Sequence, residues 1–223
     1  MIKAEQKSLE EMLRFLNPYN TILLAGCGAC VTVCHAGGEK EVELLATSIR
    51  MARKKMGKEI EVKEATPARQ CEPEFGSELA GTAETVEAVL SIACGVGVQT
   101  LVRSFPRTPV FAGVNTTFMG ETVSHGVWEE RCQACGNCML DKTGGICPIT
   151  RCAKQVLNGP CGGSSNGKCE IDPGIECVWQ LIYDRMKALG QLYKLEEILP
   201  AKRWGIESRD AGPRRIVRED LKP

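Results

Sequence analysis

The chain has 223 residues, enough for one large domain or two small ones with cores of their own. Its 28 basic residues balance 28 acidic ones, which argues against a nucleic-acid surface and against a polybasic membrane patch. No apolar run approaches the length of a membrane span, and the charged residues 1–7 are unlike a signal peptide. We therefore expect a cytoplasmic protein whose 13 cysteines meet a reducing environment and serve as metal ligands rather than disulfides.

The first half of the chain alternates between apolar runs and amphipathic stretches. Residues 1–18 predict an amphipathic helix that ends at Asn17-Pro18. Four apolar runs are typical of buried strands, at 22–25, 60–62, 88–93 and 110–114. Helices are predicted between them at 39–56, 77–86 and from 95 onward. Strands that alternate with helices indicate a Rossmann-like α/β domain with a parallel sheet, which we place at residues 1–127.

Five cysteines follow the predicted strands: Cys27, Cys30, Cys34, Cys71 and Cys94. Because the loops after parallel strands meet at one edge of the sheet, the five are expected on one rim, where they predict a [4Fe–4S] cluster. Cys27 lies closest to a strand end and suits the core, so we favour the other four as ligands. Two alternatives stay open, namely a buried apolar thiol at any one of these positions and a reactive Cys27–Cys30 thiol pair.

Residues 128–223 form the second predicted domain, which is rich in cysteine, glycine and proline. Its cysteines are Cys132, Cys135, Cys138, Cys147, Cys152, Cys161, Cys169 and Cys177. The Cys-x2-Cys-x2-Cys run can wrap three thiolates around one cluster, and Cys147-Pro148 resembles the fourth element of the ferredoxin pattern. Eight thiolates are the number that two [4Fe–4S] clusters need, so we predict a ferredoxin-like iron–sulfur domain followed by a helix over 175–190 and a polar tail. The long spacings leave the pairing of ligands with clusters open.

Structural zinc is the main alternative, because zinc sites of four cysteines use Cys-x2-Cys elements as well. Three cysteines at this spacing favour clusters, although one zinc site beside a cluster also fits. Glycines near Cys27 and Cys94 suggest a nucleotide loop, but neither run has the full G-x-G-x-x-G pattern. No acid–base constellation is evident around His35 or His125, so no catalytic residue is assigned.

Longer motifs resemble those of a known family. They are Arg131–Cys138, Gly144–Pro148, Arg151–Lys154 and Asn158–Gly163, together with Gly26–Cys30, Arg69–Pro73 and Ala93–Gly97 upstream. These motifs closely resemble the MetV family, the small iron–sulfur subunits of methylenetetrahydrofolate reductase in acetogenic and related bacteria. The resemblance covers nearly all of the chain.

The resemblance implies a partner that carries the chemistry. A MetV-like subunit pairs with a MetF-like flavin subunit, a TIM barrel that reduces 5,10-methylenetetrahydrofolate to 5-methyltetrahydrofolate. In that case FMN or FAD and the folate lie on the partner, and this chain relays electrons to the flavin. Larger assemblies with heterodisulfide-reductase-like subunits occur in the family. The competing hypotheses are a metal-stabilised scaffold without a redox role and a thiol oxidoreductase.

Overall fold

The computed structural model describes residues 1–207 and 212–221. The chain divides into two compact units, Met1–Glu129 and Glu130–Pro223. The predicted polar tail lies partly outside the described residues. None of the helices in the described part of the chain combines the length and the apolarity that a membrane crossing needs.

Strands and helices alternate through most of the first unit. The strands are β1 (Ile2–Gln6), β2 (Thr21–Ala25), β3 (Glu61–Ala65), β4 (Ala88–Ser91), β5 (Val110–Ala112), β6 (Val114–Ser124) and β7 (Val127–Cys132). The helices are α1 (Leu9–Leu16), α2 (Cys30–Val33), α3 (Glu39–Lys55), α4 (Pro73–Ser77), α5 (Ala80–Ala83) and α6 (Gly95–Ser104).

The predicted parallel sheet is confirmed. Its strand order is β3-β2-β4-β5, and every neighbouring pair is parallel. Side chains alternate between the two faces, so that Leu24 joins a core with α3 residues while Leu23 joins a second core with Leu101 of α6. Apolar residues on both faces explain why β2 and β4 appear in the sequence as continuous apolar runs.

The expectation of a helix over residues 1–18 is wrong in its first part. Residues 2–6 form β1, and α1 begins only after Ser8, whose hydroxyl accepts a hydrogen bond from the Glu11 N–H at 3.1 Å. β1 pairs antiparallel with β6, and β6 and β7 form a hairpin. This antiparallel sheet of three strands was not predicted. The helix expected at 77–86 is shorter than predicted: α4 ends at Ser77, where that helix was expected to begin, and α5 covers only Ala80–Ala83.

The second unit has little regular structure. It contains α7 (Pro148–Arg151), α8 (Val178–Ala188), α9 (Trp204–Glu207) and short 3-10 helices at Leu192–Glu196 and Glu219–Leu221. Its core cluster consists of four α8 residues, Val178, Trp179, Ile182 and Met186, and Met139 and Ile149 are also buried. The Trp179 indole N–H donates to the Val156 carbonyl at 2.9 Å and so fixes the preceding loop. The ferredoxin-like arrangement stays a prediction.

Candidate metal centres

The first candidate site lies at the carboxyl edge of the parallel sheet. β2 and β4 are neighbours there, while the strands beyond them, β3 and β5, lie on opposite sides. Strand order therefore reverses between β2 and β4, and such a switch point leaves a crevice in which α/β proteins bind ligands. Cys27 follows β2, and Cys94 is the N-cap residue of α6 after β4.

Gln70 connects the loop after β3 to this crevice. Its side chain is fully buried, and its amide nitrogen donates to the carbonyl oxygens of Ala25 at 3.0 Å and Gly26 at 2.5 Å. Its amide oxygen accepts from the buried Ser91 hydroxyl at 2.7 Å. One side chain thus joins the ends of β2 and β4, and Cys71 follows it directly in the chain.

Close backbone approaches reinforce this junction. The Gly28 N–H donates to the Pro67 carbonyl at 2.9 Å, so the loop after β2 is fastened to the loop after β3. Gly97, in the first turn of α6, leaves so little room that an added Cβ would lie 2.9 Å from the Gln70 Cβ. The loops after β2, β3 and β4 therefore converge around Gln70.

Cys71 responds electrostatically to two other predicted cysteines of this unit, Cys27 and Cys94. Loss of hydration raises the pKa of the exposed Cys71 thiol, and negative charges on Cys27, Cys94 and Glu72 raise it further. Cys27 and Cys94 therefore lie close enough to influence Cys71 electrostatically. Cys30, the first residue of α2, is half-buried and follows Cys27 by three positions.

Cys34 has a different environment. Its side chain is 4% exposed, and its thiol is directed at the main chain, with the sulfur 3.6 Å from the Ala4 carbonyl oxygen and 3.7 Å from that of Val31. The Ile2 carbonyl oxygen lies 4.0 Å away. Cys34 thus packs beneath β1. Cys27 is buried as well, at 7% exposure, as its position beside the strand end led us to expect.

The second candidate site begins at the Cys-x2-Cys-x2-Cys loop. Ala134 and Gly136 adopt left-handed backbone angles, with φ of 54° and 92°, which curl the loop. The Ala134 N–H donates to the Cys132 sulfur at 3.3 Å. A curled loop with a main-chain donor directed at sulfur suits a thiolate ligand, because such donors stabilise the negative charge.

Cys169 and Cys177 lie on a short antiparallel ribbon. The Cys169 N–H donates to the Ile175 carbonyl at 2.9 Å, and the Cys177 N–H donates to the Gly167 carbonyl at 2.8 Å. Because Lys168 pairs with the residue between Ile175 and Cys177, the two cysteines occupy diagonal positions on one face of the ribbon. The backbone thus places the pair on a common side.

The remaining cysteines of this unit lie around α7 and in the loop after it. Cys147 and Cys152 are the N-cap and C-cap residues of α7, and Cys152 packs with Cys177 against the α8 core. The exposed Cys161 lies further along the loop. The Gly163 N–H donates to its sulfur and holds the pKa of this thiol below its usual value.

All thirteen cysteines are free thiols. Within residues 1–207 and 212–221, no three histidine, cysteine, aspartate or glutamate side chains are grouped closely enough to hold a metal ion as they stand. The chemistry of the donors nevertheless fits zinc and iron–sulfur clusters, which both take soft thiolate ligands. The ligand roles of all thirteen cysteines therefore stay predictions.

Sequence reasoning missed Gln70 as part of the first site. The residue belongs to a motif noted above, but a glutamine in a loop between strand and helix is normally solvated. Only the structure shows that its side chain is buried between strand ends. The two histidines lie with ring centroids 5.9 Å apart, and both line a pocket together with Gln6 and Lys7.

Residues 111–205 match the model of a family described as methylene-tetrahydrofolate reductase C terminal. The match covers less than half of the chain but includes all eight cysteines of the second unit. No curated protein matches the chain. Among solved structures, an extracellular ligand-binding receptor from Verminephrobacter eiseniae ef01-2 is 16% identical over 47% of this chain and 28% of that chain, and its TM-score of 0.34 is too low to support an argument. Residues 111–205 are thus related to the C-terminal region of methylenetetrahydrofolate reductase, as the sequence motifs predict.

Proposed function

We propose that the chain is the iron–sulfur electron-transfer subunit of a methylenetetrahydrofolate reductase complex. It would relay electrons to or from the FMN or FAD of a MetF-like subunit that reduces 5,10-methylenetetrahydrofolate. One observation carries the proposal: all eight cysteines of the second unit lie within the residues that match the reductase family. Eight thiolates suffice for two [4Fe–4S] clusters.

The surroundings of these cysteines support redox exchange with a partner. Cys132, Cys138 and Cys161 are exposed, so centres bound by them would lie at the surface, where an electron acceptor can approach. The main-chain N–H groups of Ala134 and Gly163 are directed at thiolate sulfur and stabilise its charge. When bound, the clusters supply one-electron redox chemistry. The chain itself contributes thiolate ligands, hydrogen-bond donors and an accessible surface.

The test compares two cysteine variants of the full chain, co-produced anaerobically with a MetF-like flavin subunit. Cys135→Ser removes the central cysteine of the triple run, whereas Cys34→Ser changes a buried thiol of the first unit. Iron content, the EPR signal after dithionite reduction and the rate of flavin reduction by the reduced chain are measured. We expect Cys135→Ser to lose iron and to slow flavin reduction by more than tenfold, with little change in Cys34→Ser. A wild-type chain that contains no reducible centre after reconstitution would refute the electron-relay role.

A scaffold role is the second candidate, because the core cluster of the second unit is small, with four buried residues. A segment with so small a core needs additional bonds, and metal–thiolate bonds can provide them without any redox function. The two roles differ in what the partner needs. If the flavin subunit alone accepts electrons from its physiological donor at the full rate, or if the metal is zinc without iron, the scaffold role is correct.

A further inference from the structure

The crevice between β2 and β4 receives cysteines from three separate loops. Cys27 lies in the loop after β2 and Cys30 begins α2 directly after it, Cys71 lies in the loop after β3, and Cys94 lies in the loop after β4 as the N-cap residue of α6. The first two are spaced as Cys-x2-Cys, an arrangement that lets two thiolates face one metal centre. Ligands from several loops at a switch point match the way α/β folds build their binding sites.

Buried hydrogen bonds fix these loops to one another. Gln70 is fully buried and bonds to Ala25, Gly26 and Ser91, which immediately precede the loops that carry Cys27 and Cys94. A buried amide has a large desolvation cost, which these bonds offset. The result is a rigid framework beneath the thiols.

The Cys34 thiol has different surroundings from the other four. Its sulfur is surrounded by the main-chain carbonyl oxygens of Ile2, Ala4 and Val31, at 4.0, 3.6 and 3.7 Å. The S–H group is directed at these carbonyl oxygens inside the core, and the side chain is only 4% exposed. A sulfur enclosed in this way is occupied by the main chain and is not available to a metal ion at the edge of the sheet.

We propose that Cys27, Cys30, Cys71 and Cys94 form a tetrathiolate site for zinc or a [4Fe–4S] cluster, that Gln70 positions these ligands, and that Cys34 is a core residue. This reverses the choice that sequence spacing favours between Cys27 and Cys34. The proposal rests on the proposed function in one respect, the use of cysteines as metal ligands. It concerns the first unit alone, so the two can fail separately.

The test measures zinc, iron and sulfide in the anaerobically reconstituted full-length chain and in five single variants. Each cysteine of the first unit is changed to alanine, and Cys34→Ala is the control, matched most closely to Cys27→Ala because both remove a buried thiol. We expect each of the other four variants to lose the same increment of metal, either one zinc ion or the iron and sulfide of one cluster. Cys34→Ala should keep the wild-type content.

The positioning role of Gln70 needs a measurement beyond stability. Gln70→Met keeps the length of the side chain but removes all three of its hydrogen bonds. Ser91→Ala removes one of these three, together with the bond that the Ser91 hydroxyl accepts from the Ala93 N–H. By analogy with residues that orient metal ligands, metal affinity in competition with a chelator should fall about 10–100-fold in Gln70→Met and less in Ser91→Ala. The sulfur-to-metal charge-transfer bands of the Co²⁺-substituted protein should shift in both variants, and they should not shift in Cys34→Ala.

Several results would overturn the proposal. These are loss of the metal increment in Cys34→Ala, full retention of metal in any of the other four cysteine variants, or unchanged affinity and spectra in both Gln70→Met and Ser91→Ala. Equal metal content in the wild type and all five cysteine variants would show that the first unit binds none. Iron that disappears only in Cys135→Ser would still support the proposed function, which distinguishes the failure of one proposal from that of the other.

Discussion

Replacing Gly97 by alanine tests whether α6 and the loop that carries Gln70 are as tightly packed as the structure shows. Gly97 is buried in the first turn of α6, and its added Cβ would lie 2.9 Å from the Gln70 Cβ and 3.0 Å from the Ala93 Cβ. Real Cβ atoms essentially never approach as closely as 2.9 Å, and a contact of 3.0 Å is tighter than nine in ten real Cβ contacts. Because both contacts are to Cβ atoms rather than to the ends of flexible side chains, the loop or the helix has to move.

Two opposing effects set the size of the change. Alanine in a helix is more favourable than glycine by up to about 1 kcal/mol, whereas overpacking of a tight site costs about 1–3 kcal/mol. The matched control is Gly81→Ala in α5, where nothing lies within 4 Å of the added Cβ. Gly81→Ala should gain the helix term alone. We therefore expect Gly97→Ala to be less stable than Gly81→Ala by about 1–3 kcal/mol.

Urea unfolding of the two full-length variants, followed by far-UV circular dichroism in the absence of metal, measures this difference. The same preparations, loaded with Co²⁺, report whether displacement of the loop alters the charge-transfer bands. Equal unfolding free energies of the two variants would refute the close packing of Gln70 against α6. A Gly97→Ala chain more stable than Gly81→Ala would do so more strongly.

Three further predictions concern charge, ionisation and metal removal. Arg53→Met should lower the unfolding free energy by roughly 2–4 kcal/mol, because the buried guanidinium of Arg53 donates to three carbonyls at the end of α1 and in the turn after it. Arg50 is more exposed, so Arg50→Met should lower the unfolding free energy by at most about 1 kcal/mol. Similar losses in the two variants would contradict the structure. In metal-free protein, Cys161 should be alkylated at lower pH than Cys71, because the Gly163 N–H lowers the pKa of Cys161 while loss of hydration raises the pKa of Cys71. Mass spectrometry of the labelling rate of each thiol against pH measures this order. Alkylation of Cys71 at the lower pH would contradict the prediction. Chelation of metal should make the loops of the second unit sensitive to protease while the parallel-sheet unit stays resistant, and an unchanged cleavage pattern would argue against metal-dependent folding.

The parallel sheet could be predicted because its strands are buried on both faces. Apolar side chains at every position of 22–25 and 88–90 leave a signal that needs no knowledge of partners. The carboxyl-edge placement of the cysteines then follows from topology. The relation of residues 111–205 to the reductase could also be predicted, because it rests on motifs of residues that are adjacent in the sequence.

The antiparallel sheet could not be predicted in the same way. β1 contains Lys3, which is 9% exposed and donates to the Ala4 carbonyl, so the strand shows no simple alternation of apolar and polar residues. Its partner β6 lies more than a hundred residues away in the chain, and most of the side chains of β6 are exposed. A strand whose stability comes from distant pairing leaves little trace in its own sequence.

The same limit applies to the candidate sites. Cysteine spacing identifies the ligand candidates, but the direction of each thiol depends on local backbone geometry. Cys34 is the C-cap residue of α2, and its contact with β1 depends on a strand that the sequence did not reveal. The role of Gln70 depends on the register of three loops, which no local pattern encodes.

The strand order of the parallel sheet also determines at which stage of folding the candidate site of the first unit can be assembled. A site in the β2–β4 crevice exists only after β4 has inserted beside β2, a pairing between segments more than sixty residues apart in the chain. Such distant contacts form late because the intervening chain must first be ordered. The triple cysteine run is continuous in sequence and presents three thiols before any sheet has formed. If both sites are loaded as proposed, folding precedes metal capture in the first unit, whereas in the second unit metal capture precedes folding.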